Sequence, residues 1–165
     1  MKTWIILPFL FVLAFSVDVS AQFLEIKGMP GSSADPKHRG WIELNSFSMS
    51  NSRPTSTNSS TRQRGSANFT PVNVTKFIDK SSPKLMEAVA NGRVFPTMTI
   101  DLVDNRKNVY VKITLSNVMI TSYQVSGSKK ERPTEEFSLN YEHIKYSYLP
   151  SKVDFNWNTK TNRPK

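Results

Sequence analysis

The sequence predicts a mainly β protein, a β-barrel or two tightly packed antiparallel sheets, flanked by one α-helix. Three observations predict it: apolar residues recur at period two through most of the chain, one stretch alone has helical spacing with start and stop signals, and two long strands each break step once. In residues 40–50, Ile42 and Leu44 are apolar with polar neighbours, but four residues on the apolar positions are Phe47 and Met49. A straight strand would send those halves to opposite faces. A bulge that bends the strand round the corner of a closed or nearly closed barrel is the expected cause.

The elements follow in order. Lys2 gives a positive start, residues 5–17 are apolar apart from Pro8 and Ser16, and Val19, Ser20 and Ala21 are small enough for a signal peptidase. The expectation is a Sec-type signal peptide over 1–21 and a mature chain from Gln22, periplasmic or secreted, in one domain over 22–165. The apolar run falls short of the roughly 20 residues that span a bilayer, so no transmembrane anchor is expected in the mature form. Residues 23–27 alternate, with Leu24 and Ile26 on one face, and a connection with two prolines and three glycines leads to the first broken strand. From 50 to 61, ten of twelve residues are Ser, Thr or Asn, which predicts an extended mobile loop over 50–65. Pro71 interrupts a weak strand at 67–74. In "DKSSPKLMEAVANGR" Ser82 is the expected cap, Pro83 the first helical residue, Leu85, Met86 and Val89 the core stripe, and Asn91-Gly92 the stop. Strands are then expected at 94–101, 109–115 and 118–125, with a polar connection over 126–134. The second broken strand, 136–149, places Phe137, Leu139 and Tyr141 on odd positions and Ile144, Tyr146 and Tyr148 on even ones.

The chain has no cysteine, which removes disulfides, thiol nucleophiles and thiolate metal sites. Its net charge of +9 is unevenly placed: between Glu43 and Asp79 there is no acid, while Arg53, Arg62, Arg64 and Lys76 fall there. Such patches suit anionic glycans, lipid headgroups or nucleic acid. The aromatics alternate within strands and form no stacking platform, which argues against nucleic acid. His38 and His143, the two histidines, have no metal-ligand spacing, and His143 sits at a parity break as a bend residue. No nucleophile elbow or phosphate-binding loop occurs, and Glu135 and Glu136 fall on opposite strand faces. No catalytic, cofactor-binding or metal residue is predicted, and no cofactor.

The segments "ADPKHRGWIELNSFSMS", "VTKFIDKSSPKLMEAVANGRVFP", "VYVKITLSNVMITSYQVSGS" and "ERPTEEFSLNYEHIKYSYLP", followed by "FNWNTKTN", resemble the Hcp family, the haemolysin-coregulated proteins of the type VI secretion tube. The resemblance implies a non-enzymatic structural protein similar to phage tail tubes: a barrel with one helix, assembled into homo-hexameric rings that stack and carry effector proteins in the lumen. Two departures mark this chain: the leader, and Met49-Ser50 where the family pattern SFSWG has Trp-Gly. The family's ring-contacting loop maps to 50–65, so Arg53, Arg62 and Arg64 become candidate stacking residues, with Glu131, Glu135 or Glu136 of the next ring as partners. The alternative is a secreted monomeric binding module for anionic glycans or membrane surfaces.

Overall fold

The computed structural model describes residues 19–56 and 63–165. In chain order they form β1 (Val19–Ile26), β2 (Ile42–Glu43), β3 (Ser46–Ser48), β4 (Asn51–Ser52), β5 (Thr55–Ser56), β6 (Gln63–Arg64), β7 (Asn68–Phe69) and β8 (Val72–Phe77). Then come α1 (Ser82–Ala90), β9 (Val94–Asp104), β10 (Val109–Ser128), β11 (Glu131–Asn140), β12 (His143–Tyr148), a 3-10 turn (Leu149–Ser151), β13 (Val153–Asn158) and β14 (Arg163–Pro164). The apolar run of the expected leader lies outside the described residues. The expected peptidase bond after Ala21 falls inside β1, where Ala21 pairs with Val103 and Gln22 with Leu102.

Antiparallel pairing runs β1–β9–β10–β11–β8–β3, and β3 returns to β1 through β2, which closes the circuit. The first parity break is the closing point. The Leu44 amide donates to the Gln22 carbonyl at 2.9 Å and the next amide, Asn45, donates to the Thr75 carbonyl at 2.8 Å. The chain thus changes partner from β1 to β8 within one residue step, and Ile42 and Leu44 enter the core from one sheet, Phe47 and Met49 from the other.

The second break has a different cause from the one the sequence suggests. No residue is inserted: Met119 pairs with Asn140 and Ser116 with His143, so the register between β10 and its partner runs unshifted across the break. Instead three neighbouring strands break step together. The buried positions go from Phe95 to Met98 in β9, from Leu115 to Val118 in β10, and from Tyr141 to Ile144 across the end of β11. Thr97, Ser116 and His143 are aligned across the corner. Asn117, at a φ of +51°, donates from Nδ2 to Glu142 Oε2 at 3.0 Å. A concerted bend lets one long strand serve both packed sheets. Residues 109–115 and 118–125, expected as separate strands, are therefore one 20-residue strand. Before the corner it is flanked by β9 and β12, which carries β13 and β14; beyond it, β11 replaces β12 while β9 stays paired as far as Met119. The polar connection expected over 126–134 shrinks to a turn at Lys129-Lys130.

The core between the sheets includes Leu24, Ile42, Val74, Ile100, Leu115 and Phe137. Each such burial contributes roughly 1.5–3 kcal/mol. Two local expectations are corrected. Ser81, not Ser82, holds the N-cap position, without a side-chain capping bond, and Pro83 is the second helical residue; the Ser82 hydroxyl instead accepts from the Asp79 amide at 3.0 Å. Its buried track is Ser82, Leu85 and Ala88, at three-residue spacing, which leaves Met86 exposed at 55 %. Segment 50–65 is not simply a loop: β4 pairs with β7 and β5 with β6 as a two-stranded ribbon, and residues 57–62, Arg62 included, lie outside the described residues. Ribbon pairing satisfies the backbone without any apolar burial, so composition does not reveal it.

Candidate assembly surfaces

Four strands present one continuous polar face. Along β3, β8, β11 and β10, one row reads Ser48, Asn73, Ser138, Ser122 and the next Ser46, Thr75, Glu136, Gln124. Alternation turns the partners of these residues, such as Val74 and Phe137, into the core, and leaves short hydroxyl and amide groups outside. The Ser122 hydroxyl donates to Ser138 Oγ at 2.7 Å, and Ser138 in turn to Asn73 Oδ1 at 2.7 Å. Elsewhere the surface carries apolar side chains: Val94, 58 % exposed, and Met119 face each other across β9 and β10. Adjacent exposed apolar groups of this kind mark contact surfaces.

The candidate stacking residues are brought to different places. Arg53 is exposed, Arg64 lies in β6, Glu131 is exposed at the start of β11, and Glu136 belongs to the polar face. Glu135 is 1 % exposed and already engaged, so it cannot reach a neighbouring ring.

Glu135 belongs to a buried ionic network that holds α1 to the sheet. Lys76, read from the sequence as part of a surface basic stretch, is fully buried opposite Glu135. Its ammonium is ion-paired with Glu135 Oε1 and donates to Asp79 Oδ1 at 2.8 Å, to the Phe77 carbonyl at 2.9 Å and to Ser82 Oγ at 3.5 Å. Tyr123 donates to the second oxygen of Glu135 at 2.6 Å. Burial and this bond push the Tyr123 phenol well up. Burial pushes Asp79 up as well, but hydrogen bonds from Lys76 and Ser81 outweigh it and hold the carboxyl below its ordinary 3.8. Alternation could have found the buried lysine: Val72 and Val74 share its parity.

His38 is the second residue whose role the spacing alone does not show. It stacks on Phe23 with ring centroids 4.4 Å apart, and its two nitrogens lie 3.1 Å from Asp35 and 3.1 Å from Asp101. Lys112 meets the other oxygen of Asp101 at 2.8 Å. The group latches the connection before β2 onto β9 and β10. Neither histidine joins a metal cluster: among the described residues no set of three ligating side chains forms.

A family model described as "Type VI secretion system effector, Hcp" matches residues 23–148. The chain belongs to the Hcp family. Protein hcp1 of Pseudomonas aeruginosa is 34% identical over 108 residues, which span 58% of this chain and 67% of that protein. A solved structure described as a type six secretion system protein is 26% identical with a TM-score of 0.81, covering 88% of this chain and 99% of that one. Hcp1 from Salmonella typhimurium, at 23% identity, shares the fold with a TM-score of 0.78 over 88% of this chain and 98% of its own. Hcp proteins are tube-forming structural proteins of type VI secretion and not enzymes, and this chain is one of them. Asp79 of the buried network falls in the "FIDKSSP" segment, and His143 of the corner in "NYEHIKYSY". β13 and β14 lie beyond the matched residues.

Proposed function

We propose that the chain is an exported Hcp subunit: a closed hexameric ring, stacked with others into a hollow tube that carries effector proteins. The observation that carries the reading is the family match over residues 23–148 on a barrel with one continuous polar face. In a ring each subunit meets the next through two different flanks, which keeps one face for the lumen. Short hydroxyl and amide groups suit a lumen, because they stay hydrated and give a passing protein no apolar hold. Val94 and Met119 belong to a flank. The leader over 1–21 takes the chain to the periplasm or beyond. Arg53, Arg62 and Arg64 meet Glu131 of the next ring, since Glu135 is buried and Glu136 belongs to the polar face.

Light scattering on the purified protein, with sequencing of its N-terminus, tests this. Six chain masses and a start at Gln22 are expected. A monomer at high concentration would overturn the ring and favour a secreted binding module, and a retained Met1 would overturn the export. Changing Arg53, Arg62 and Arg64 to Ala together should leave rings that no longer stack, as seen by electron microscopy.

A further inference from the structure

We infer that the cleft between the ribbon base and β13 is a binding site for an acidic saccharide, a pyranose unit carrying a carboxylate or phosphate. The cleft consists of two adjoining cavities of about 220 Å³ and 320 Å³ that share Asn51, Phe69 and Phe155. Together they reach the range of small-molecule sites, roughly 300–1,000 Å³. Phe69, Phe155 and Trp157 stand with ring centroids 6.1–6.3 Å apart, and Phe155 is 41 % exposed. The same cavities are lined by small polar groups, Ser50, Asn51 and Ser52.

That combination decides the ligand class. A lipid chain has no use for the polar groups, and a simple anion none for the rings. A pyranose has both a C–H face to lie on an aromatic ring and hydroxyls at its edge for amides and hydroxyls. Trp157 lines the cleft, and its indole N–H is buried with no acceptor among the described residues. Charge fixes the remainder. The lining contains Arg53 and no carboxylate, so in a subunit whose Arg53 is not engaged by a stacked ring, an anionic substituent on the sugar meets a guanidinium able to bind it through two parallel bonds.

Calorimetric titration of the purified protein with trigalacturonic acid is the test, with maltotriose and glucose 6-phosphate as companion probes. Saturable binding of trigalacturonic acid is expected, with none of maltotriose; binding of glucose 6-phosphate as well would show that the site reads the anionic pyranose and not the carboxylate alone. Phe155→Ala should weaken binding about tenfold and Phe155→Tyr should restore it, while Arg53→Gln, at an exposed position that does not threaten the fold, should weaken binding and remove its salt dependence. Equal affinity for maltotriose, or affinity unchanged in both Arg53→Gln and Phe155→Ala, would overturn the inference. So would light scattering that showed Phe155→Ala breaking an assembly that the saccharide does not bind, because the cleft would then be a contact between copies of the chain.

Discussion

Lys76 shows how far a single residue's environment can depart from its type. Placing an ammonium with no exposure between two carboxylates is tolerable only while every partner is present, since the desolvation cost stays when one is removed. Lys76→Met is therefore expected to cost about 3–5 kcal/mol in urea unfolding, and adding Glu135→Gln, which removes the stranded charge and keeps an acceptor for Tyr123, should recover about half. A loss below 1 kcal/mol would mean that the network is decorative. Its pH dependence has a definite sign. Asp79 is held below 3.8 in the folded protein, so its contribution is complete above that value and is lost as pH falls through the depressed one. Asp79→Asn should lower stability at pH 7 and flatten the loss below about pH 4. The position of Lys76 was legible in the alternation of "VNVTKF", where it shares parity with two buried valines. That of Asp101 was not: its parity points outward, and only the returning connection with His38 covers it.

At the scale of elements, the sequence marked where strands break step but not the mechanism. A parity break reads the same whether a residue is inserted, a strand changes partner or a corner bends several strands at once; only the register separates these, and register is a property of pairs. The ribbon and the tight turn at Lys129-Lys130 were hidden for a related reason, since backbone pairing leaves no mark in a composition of Ser, Thr and Lys. The helix end was fully legible. Asn91-Gly92 closes α1 with Gly92 at a φ of +64°, and the amides of Gly92 and Arg93 return to the carbonyls of Val89 and Ala88. Gly92→Ala should cost about 1 kcal/mol by thermal unfolding, and Gly92→Asn less. Gly31 answers to space and not to φ: a Cβ there would run into the backbone of Trp41 and Ile42 beside β2. Gly31→Ala is expected to cost about 2 kcal/mol, because backbone cannot move aside as a flexible side chain can.

For the whole molecule, the decisive property is the division of its surface. A barrel that works alone has no reason to gather small polar groups along four strands and leave Val94 opposite Met119 exposed near their end. A ring subunit needs both, one face to be wetted and another to be covered. The two surfaces therefore respond differently to the same kind of change. Ser138→Asp on the polar face should leave the solution mass unchanged. Val94→Asp with Met119→Asp should convert a ring to folded monomers, because two carboxylates would be buried without partners at each contact. Raising the salt should not rescue that variant, since the penalty is desolvation and not long-range repulsion. Light scattering gives the mass, and circular dichroism checks that the monomer keeps its strands. A double variant that still forms rings would move the flank elsewhere on the barrel, and a Ser138→Asp variant that fell apart would put the polar face in the contact and not in the lumen.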